Sequence, residues 1–242
     1  MGRAAEQLAA GRALSGLVAD AAVVSYGLLP ASPRLSADGY ELHLATAHLG
    51  HYALVARLLP RLQEWGTRVV HVGSLSHRVP IGRDPWTRLT RPRREPSFLS
   101  YARSKVAVTL FALELAERLA AAGSAASSVL AHPGTAVDVL TPERDGIPAS
   151  QPTELSPVGR AIVRGMHGKD AGAAVLVRAA VDPSAGNGQV WGPGGRWQLA
   201  GEPVRLAPPR RRAPEVTDAL LKVSEELTGV PLGLSPARRG RR

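Results

Sequence analysis

Tyr101 and Lys105 are the two side chains of this sequence whose types and spacing best suit proton transfer. They stand four residues apart near the start of the longest helical pattern, over residues 100–122, so both fall on one face of the predicted helix. A free phenol has a pKa of about 10, too high for efficient acid–base work at neutral pH, and a nearby ammonium lowers it by favouring the phenolate. The pair therefore predicts a site for proton transfer by the phenol.

Other polar and turn-forming residues follow predicted strands. Ser74 comes directly after a strand over residues 67–73, and Pro133-Gly134 comes shortly after a strand over residues 127–131. In a parallel sheet, ligands bind beyond the carboxyl ends of the strands. We therefore expect Ser74, the Pro133-Gly134 turn and the start of the 100–122 helix to lie at the same edge.

The remaining pattern alternates between helices and strands, which predicts an α/β fold with a parallel sheet covered by helices on both faces. Further helices are predicted over residues 3–14, 41–64, 158–181 and 215–228, and further strands over residues 16–19 and 188–191. Residues 79–99 and 135–157 are predicted to be irregular.

Composition excludes several classes of protein. The chain of 242 residues has no cysteine, so a disulfide framework, a thiol nucleophile and a zinc–thiolate site are excluded. No apolar run is long enough for a membrane span, and a cytoplasmic location is expected. The net charge of +10 comes largely from loops and the C-terminal end, so we expect no nucleic-acid binding. His43, His48 and His51 lack a convincing further ligand, and no metal site is predicted.

The order of these features resembles the short-chain dehydrogenase/reductase family, in particular its retinol-dehydrogenase-like and WW-domain-oxidoreductase-like branch. The resemblance covers about residues 3–230. The stretches that carry it are residues 17–22 (LVADAA), 47–52 (AHLGHY), 68–78 (RVVHVGSLSHR), 101–105 (YARSK), 131–134 (AHPG), 190–193 (VWGP) and 223–229 (VSEELTG).

The resemblance implies a Rossmann-like sheet and an oxidoreductase that interconverts an alcohol and a carbonyl with NAD or NADP, of which NADP is favoured. It makes Tyr101 the acid–base group, Lys105 its activator and a ribose ligand, and Ser74 the residue that orients a small-molecule substrate. The positions implied to contact the cofactor are Asp20, Ala21, Ala22, Tyr101, Lys105, Pro133, Gly134 and Thr135. It also implies a homodimer through helices 41–64 and 100–122.

Three departures from the family pattern bear on activity. The first three strands and their glycine-rich phosphate-binding turn have no counterpart, so we expect weak cofactor binding. Asp20 stands where the family has Asn, and Ala47 stands where it has a catalytic Asn. Two explanations remain open: an incomplete chain and a shortened family member. The alternative to an enzyme is an inactive fragment or pseudoenzyme that acts, if at all, through subunit pairing.

On this layout, residues 1–200 are predicted to form the partial Rossmann-like domain. Residues 201–230 are predicted as a C-terminal extension with a helix, and residues 231–242 as a basic, disordered tail.

Overall fold

Five strands form the central sheet of the computed structural model, which describes residues 1–82, 84–141, 157, 163–210 and 213–236. The strands of this sheet are β1 (Gly16–Ala19), β3 (Arg68–Val72), β5 (Ser127–Ala131), β6 (Val190–Pro193) and β7 (Pro203–Leu206). Two further strands, β2 (Pro30–Ala31) and β4 (Glu95–Pro96), form a separate antiparallel pair. The helices are α1 (Gly2–Ala9), α2 (Leu42–Leu44), α3 (Gly50–Trp65), α4 (Ser97–Ala121), α5 (Lys169–Val181) and α6 (Pro214–Thr228). Short 3₁₀ helices cover Leu75–Arg78, Trp86–Leu89, Asp138–Leu140 and Arg196–Gln198.

The sheet has the order β1-β3-β5-β6-β7, and its first four strands are parallel. Residues of β3 alternate between two buried faces, because Val69 packs with α3 and α4 while Val70 packs with α5. Helices on both faces explain why the central strands read as continuous apolar runs. The predicted α/β class with a parallel sheet between helices is confirmed.

Helix ends follow local sequence signals. The Glu41 carboxylate accepts hydrogen bonds from the backbone N–H groups of His43 and Leu44, which caps α2. Gly66 ends α3 in the left-handed conformation, and Gly229 ends α6 in the same way. These caps determine where α2 begins and where α3 and α6 end, and all three helices lie near α4.

Helix α4 is enclosed by its own chain. Its sheet-facing side meets β3 and β5, and its opposite side packs against α6 and the segment around Trp86–Leu89. Seventeen of its residues are buried. The predicted homodimer through residues 41–64 and 100–122 stays a prediction, but α4 has little surface left for it.

Some predicted elements differ from the observed ones. Helix α1 ends at Ala9, and the polypeptide turns at Ala10 and Gly11 before β1. Strand β7 was not predicted; it pairs antiparallel with β6 and adds an edge to the sheet, and α6 packs on α4. The division at residue 200 stays a prediction, although residues on both sides of it share one sheet.

Parts of three predictions lie outside the described residues. These are most of the irregular segment 135–157, residues 158–162 of the predicted helix 158–181, and the arginines at 211, 212, 238, 239, 241 and 242. In the described part this helix begins at Lys169, later than predicted. Within the described ranges, no helix combines the length and the apolar character that crossing a membrane requires.

Strand β1 is the other edge of the sheet. Val18 in this strand is 45% exposed, and Val24, Tyr26 and Leu29 in the following segment are 55%, 70% and 82% exposed. Exposed apolar side chains next to unpaired strand backbone form a surface prone to association.

Candidate functional site

The start of α4 is held in place by a buried ion pair. Arg103 donates to both carboxylate oxygens of Glu95, at 2.7 and 3.0 Å, and the Ser100 hydroxyl donates to the same carboxylate at 2.5 Å. Burial alone would raise the pKa of Glu95, but the hydrogen bonds from Arg103 and Ser100 outweigh it and lower that pKa. This anchor fixes the rotation of α4 and thereby the direction of Tyr101.

Tyr101 is 7% exposed and faces the end of β3. The side chains of Ser74 and Ser76 lie close enough to its phenol to lower its pKa, and the ring of Tyr26 packs edge-on against its ring with centroids 6.2 Å apart. Burial raises the pKa of Tyr101, Tyr26 raises it further, and the two serines oppose the change. The structure therefore brings together the predicted acid–base residue and the predicted substrate orienter.

Ser74 is set by the turn that follows β3. It caps the 3₁₀ helix Leu75–Arg78 by accepting a hydrogen bond from the Ser76 backbone N–H at 3.2 Å. The Ser76 hydroxyl also donates to the Ser74 Oγ at 3.0 Å, and the Ser74 carbonyl is 2.6 Å from His77 Nδ1. Sequence reasoning missed Ser76, which places a second hydroxyl beside the phenol.

Lys105 is 4% exposed, and its Nζ donates to the carbonyl oxygen of Val72 at 2.8 Å. Burial lowers the pKa of Lys105 to about 8, and the charge of Asp20 opposes that shift. Nζ lies 6.0 Å from the centre of the Tyr101 ring. The expected lowering of the phenol pKa by this ammonium is absent, because burial of Tyr101 dominates and Lys105 is directed to Val72.

The segment opposite Lys105 contains a residue that sequence reasoning treated only as packing. Residues Ala45–Leu49 form a π-helical turn, and the His51 ring lies close enough to the backbone of Ala47 for that backbone to raise its pKa. Burial lowers the pKa of His51, with a further lowering from Lys105 and an opposing effect from Asp20. An imidazole thus lies near the position where Ala47 replaces an amide side chain. The sequence signal for this proximity is that His51 follows Ala47 by four residues, which places both on one face of a helix.

The turn after β5 is packed against the chain itself. The Gly134 N–H donates to His132 Nδ1 at 3.3 Å, and the Thr135 N–H donates to the Leu199 carbonyl at 2.7 Å. A Cβ at Gly134 would lie 2.4 Å from that same carbonyl. The backbone N–H groups of Gly134 and Thr135 are therefore already engaged within the protein and are not available to a nicotinamide.

The residues present fit only one end of a dinucleotide. Lys105 uses one of its three N–H donors on protein, which leaves donors for a ribose. Asp20 and Ala21 are exposed beyond β1, and Ala22 packs on the cluster that includes Ala47. Among the described residues, no glycine-rich turn joins a strand of the parallel sheet to a helix N-terminus, the arrangement that binds a diphosphate.

Metal binding has no support in the described ranges, where no group of three or more His, Asp or Glu side chains is placed to hold an ion. His48 is fully buried and its Nε2 lies 2.7 Å from the Ser224 hydroxyl, which joins the π-helical turn Ala45–Leu49 to α6. His43 pairs with Glu41 at 2.7 Å at the start of α2. Both act in packing and capping.

Comparison with known proteins gives curated relatives that are dehydrogenases. Retinol dehydrogenase 11 of Mus musculus is 40% identical over 107 residues, which are 44% of this chain and 33% of that protein. Retinol dehydrogenase 12 of Homo sapiens is 41% identical over 100 residues, covering 41% of this chain and 30% of that protein. The matched part thus spans about a third of these relatives. No protein-family model matches the chain.

Solved structures match over a greater length. A protein of Mycobacterium paratuberculosis is 29% identical and superimposes with a TM-score of 0.63 over 96% of this chain and 74% of its own. A short-chain dehydrogenase/reductase of Saccharomyces cerevisiae is 21% identical, with a TM-score of 0.51 over 78% of this chain and 72% of its own. The second likeness concerns the fold.

Proposed function

Because the chain belongs to the short-chain dehydrogenase/reductase family, in its retinol-dehydrogenase-like branch, we propose that it interconverts an alcohol and a carbonyl with NAD or NADP. One observation supports this proposal above the others. The buried Tyr101 phenol lies beside Ser74, whose side chain lowers its pKa, and the buried Lys105 ammonium lies on the same helix face. Packing alone does not require two polar side chains at these positions, because burying them costs free energy.

The proposed roles follow from the contacts. A nicotinamide, when bound, supplies or accepts the hydride at the carbonyl carbon. In the reducing direction, Tyr101 gives its phenolic proton to the substrate oxygen, while the Ser74 hydroxyl donates a hydrogen bond to that oxygen. The phenolate that remains recovers a proton from solvent. Lys105, whose ammonium is 6.0 Å from the centre of the Tyr101 ring and has N–H donors beyond the one used on Val72, holds the ribose of the cofactor.

The balance of cofactor contacts predicts weak binding. A dinucleotide would keep the ribose contacts of Tyr101 and Lys105 but would find the Gly134 and Thr135 donors already engaged. The diphosphate would also lack the N–H groups of a glycine-rich turn within the described residues. Hydrogen bonds to a charged group contribute about 1.5–3 kcal/mol each, so losing several weakens binding by orders of magnitude. Titration calorimetry with NADPH and with NADH should give dissociation constants above the micromolar range. A micromolar constant for either cofactor contradicts this expectation.

Substitution of the phenol tests the activity. Tyr101→Phe should remove turnover of an aldehyde measured by NADPH oxidation at millimolar cofactor. Tyr26→Phe is the matched control, because Tyr26 is 70% exposed and packs against the Tyr101 ring without joining its hydrogen bonds. Full activity of the Tyr101→Phe protein would remove Tyr101 from the mechanism.

The second candidate is a non-catalytic family member that acts through subunit pairing. The exposed apolar side chains beside β1, Val18, Val24 and Leu29, support it, since such a surface favours association. Absence of turnover in the unmodified protein at saturating cofactor, together with a stable dimer in analytical ultracentrifugation, would favour this candidate over the enzyme.

A further inference from the structure

A small ribbon of two strands lies on the surface directly before α4. It consists of residues 27–35 and 91–96, in which β2 pairs antiparallel with β4, and it is called the basic–apolar ribbon below. The large apolar side chains of its first arm are exposed: Leu28 and Leu29 are 74% and 82% exposed, and Leu35 is about half exposed. Apolar side chains that lie together on a surface mark a site of interaction with another body.

The backbone holds the two neighbouring leucines in place. On one side of them β2 is paired with β4, and on the other side the Phe98 N–H donates to the Gly27 carbonyl at 3.1 Å. Leu28 and Leu29 are thus anchored at both ends and project into water. Exposure of two leucines is unfavourable, and a partner that removes them from water recovers this free energy.

The ribbon also carries a cluster of positive charge. Arg94 lies against the first arm, where its guanidinium donates to the Pro30 carbonyl at 3.4 Å. The other arginines of the ribbon are exposed as well; they are Arg34, Arg91 and Arg93. The Glu95 carboxylate is compensated by Arg103, and Asp38 beyond the first arm is the nearest exposed carboxylate in the sequence. The charge beside the leucines is therefore predominantly positive.

The shape and the charge together favour a lipid surface as the partner. Side chains that project from a protein need a pocket for each of them on a protein partner. A bilayer accepts them without a preformed pocket, because apolar side chains enter the boundary between headgroups and acyl chains. Arginines beside such side chains are attracted to anionic headgroups, whose phosphates accept paired hydrogen bonds from a guanidinium.

We propose that the basic–apolar ribbon docks on the surface of an anionic phospholipid bilayer. Leu28 and Leu29 enter the boundary between headgroups and acyl chains, and the arginines of the ribbon contact lipid phosphates. The two attractions act at one place, so the affinity depends on the leucines and on the anionic lipid together. This docking does not depend on turnover at Tyr101.

Flotation of the protein with lipid vesicles in a density gradient tests the role of the leucines. Vesicles of equal parts phosphatidylcholine and phosphatidylglycerol should bind the unmodified protein about tenfold more strongly, or more, than vesicles of phosphatidylcholine alone. Leu28→Ser together with Leu29→Ser should weaken binding to the mixed vesicles about tenfold. Val177→Ser together with Val181→Ser is the matched control and should have no effect, because these exposed apolar side chains lie on α5, outside the ribbon.

A second pair of variants separates a defined basic site from general attraction. A net charge of +10 by itself draws the protein to anionic vesicles. Arg91→Gln together with Arg93→Gln should weaken binding to the mixed vesicles about tenfold. Arg12→Gln together with Arg57→Gln removes the same charge from exposed positions elsewhere and should have a much smaller effect. Equal weakening by the two double variants overturns the proposal.

A fluorescent label tests insertion directly. The chain has no cysteine, so Leu29→Cys carries a single environment-sensitive nitrobenzoxadiazole group. Its emission should rise and shift to the blue on the mixed vesicles, whereas the same label on Val181→Cys should not change. The proposal is overturned by an unchanged label at position 29. It is also overturned if the double serine variant of Leu28 and Leu29 binds vesicles normally but associates less with itself, since the leucines then contact a second copy of the chain.

Discussion

At the scale of single residues, the buried amine of Lys105 is the most unusual group in the molecule. Its Nζ donates a hydrogen bond to the Val72 carbonyl, and burial lowers its pKa to about 8. A lysine in this state exchanges protons near physiological pH, which an exposed lysine does not do. The same property that suits a proton-transfer site makes the folded state sensitive to pH.

Lys105→Met should change the pH dependence of stability in a defined window. Between pH 8 and 10.5 the unfolded chain holds the lysine proton and the native protein has released it, so the stability of the unmodified protein rises with pH. The Met variant lacks this contribution. Its free energy of unfolding relative to the unmodified protein should fall by about 3 kcal/mol from pH 7 to pH 10.5, at 1.4 kcal/mol per pKa unit.

Urea denaturation at the two pH values measures this difference. Comparing the free energies of unfolding of the two proteins at each pH cancels the contribution of the tyrosines, which titrate in the same range. The Met variant also lacks the hydrogen bond to Val72, which lowers its free energy of unfolding by the same amount at both pH values. A pH-independent difference would show that Lys105 has an ordinary pKa.

Residue types predicted part of the site. Tyr101, Lys105 and Ser74 could be recognised because their spacing and their places after predicted strands are local properties. The roles of Ser76 and His51 could not be recognised, since each depends on how a turn or a π-helical segment directs a side chain toward another element. The raised pKa of Tyr101 was also missed, because burial is a property of the folded chain.

At the scale of elements, the turn after β5 shows how closely neighbouring segments approach. Gly134 has a φ of 71°, and a Cβ there would meet the Leu199 carbonyl at 2.4 Å and Pro193 at 2.7 Å. The turn is thus locked against the hairpin loop between β6 and β7, which also carries Gln198.

Gly134→Ala should destabilise the protein by about 3 kcal/mol or more, from the left-handed backbone and the collision together. Gly39→Ala is the matched control, because Gly39 has a φ of 81° and open space around it. That variant should lose only about 1–2 kcal/mol from backbone strain. Thermal unfolding of both variants compares the two effects, and equal losses would mean that the turn is not tightly packed.

Elements were predicted best where one sequence pattern decides them. The apolar strands at 16–19, 67–73 and 127–131 and the helix from residue 100 follow from periodicity alone. Strand β7 was missed because its PVRL sequence is short and gains its partner only through the hairpin with β6.

At the scale of the whole molecule, the two edges of the sheet differ in character. The β1 edge is followed by a run of exposed apolar residues, whereas β7 on the other edge has Val204 37% exposed and Arg205 beside it. Association of the protein is therefore expected to occur through β1.

Val18→Lys should reduce concentration-dependent association, because a charge on an edge strand opposes pairing with another chain. Val204→Lys places the same charge on the opposite edge and should have little effect. Static light scattering over a range of concentrations compares the two variants. A larger effect of the Val204 substitution would assign association to β7 instead.

The register of the parallel strands also determines when the proposed active site can form during folding. Gly16 pairs with Arg68, and Arg68 pairs with Ser127, so each of these ladders closes a long loop before its hydrogen bonds form. Folding rates fall as such non-local pairings increase. The phenol, the amine and the serine hydroxyl come together only after β3, α4 and the turn at residue 74 have docked. Their proximity is therefore expected to arise late, after the local β6–β7 hairpin.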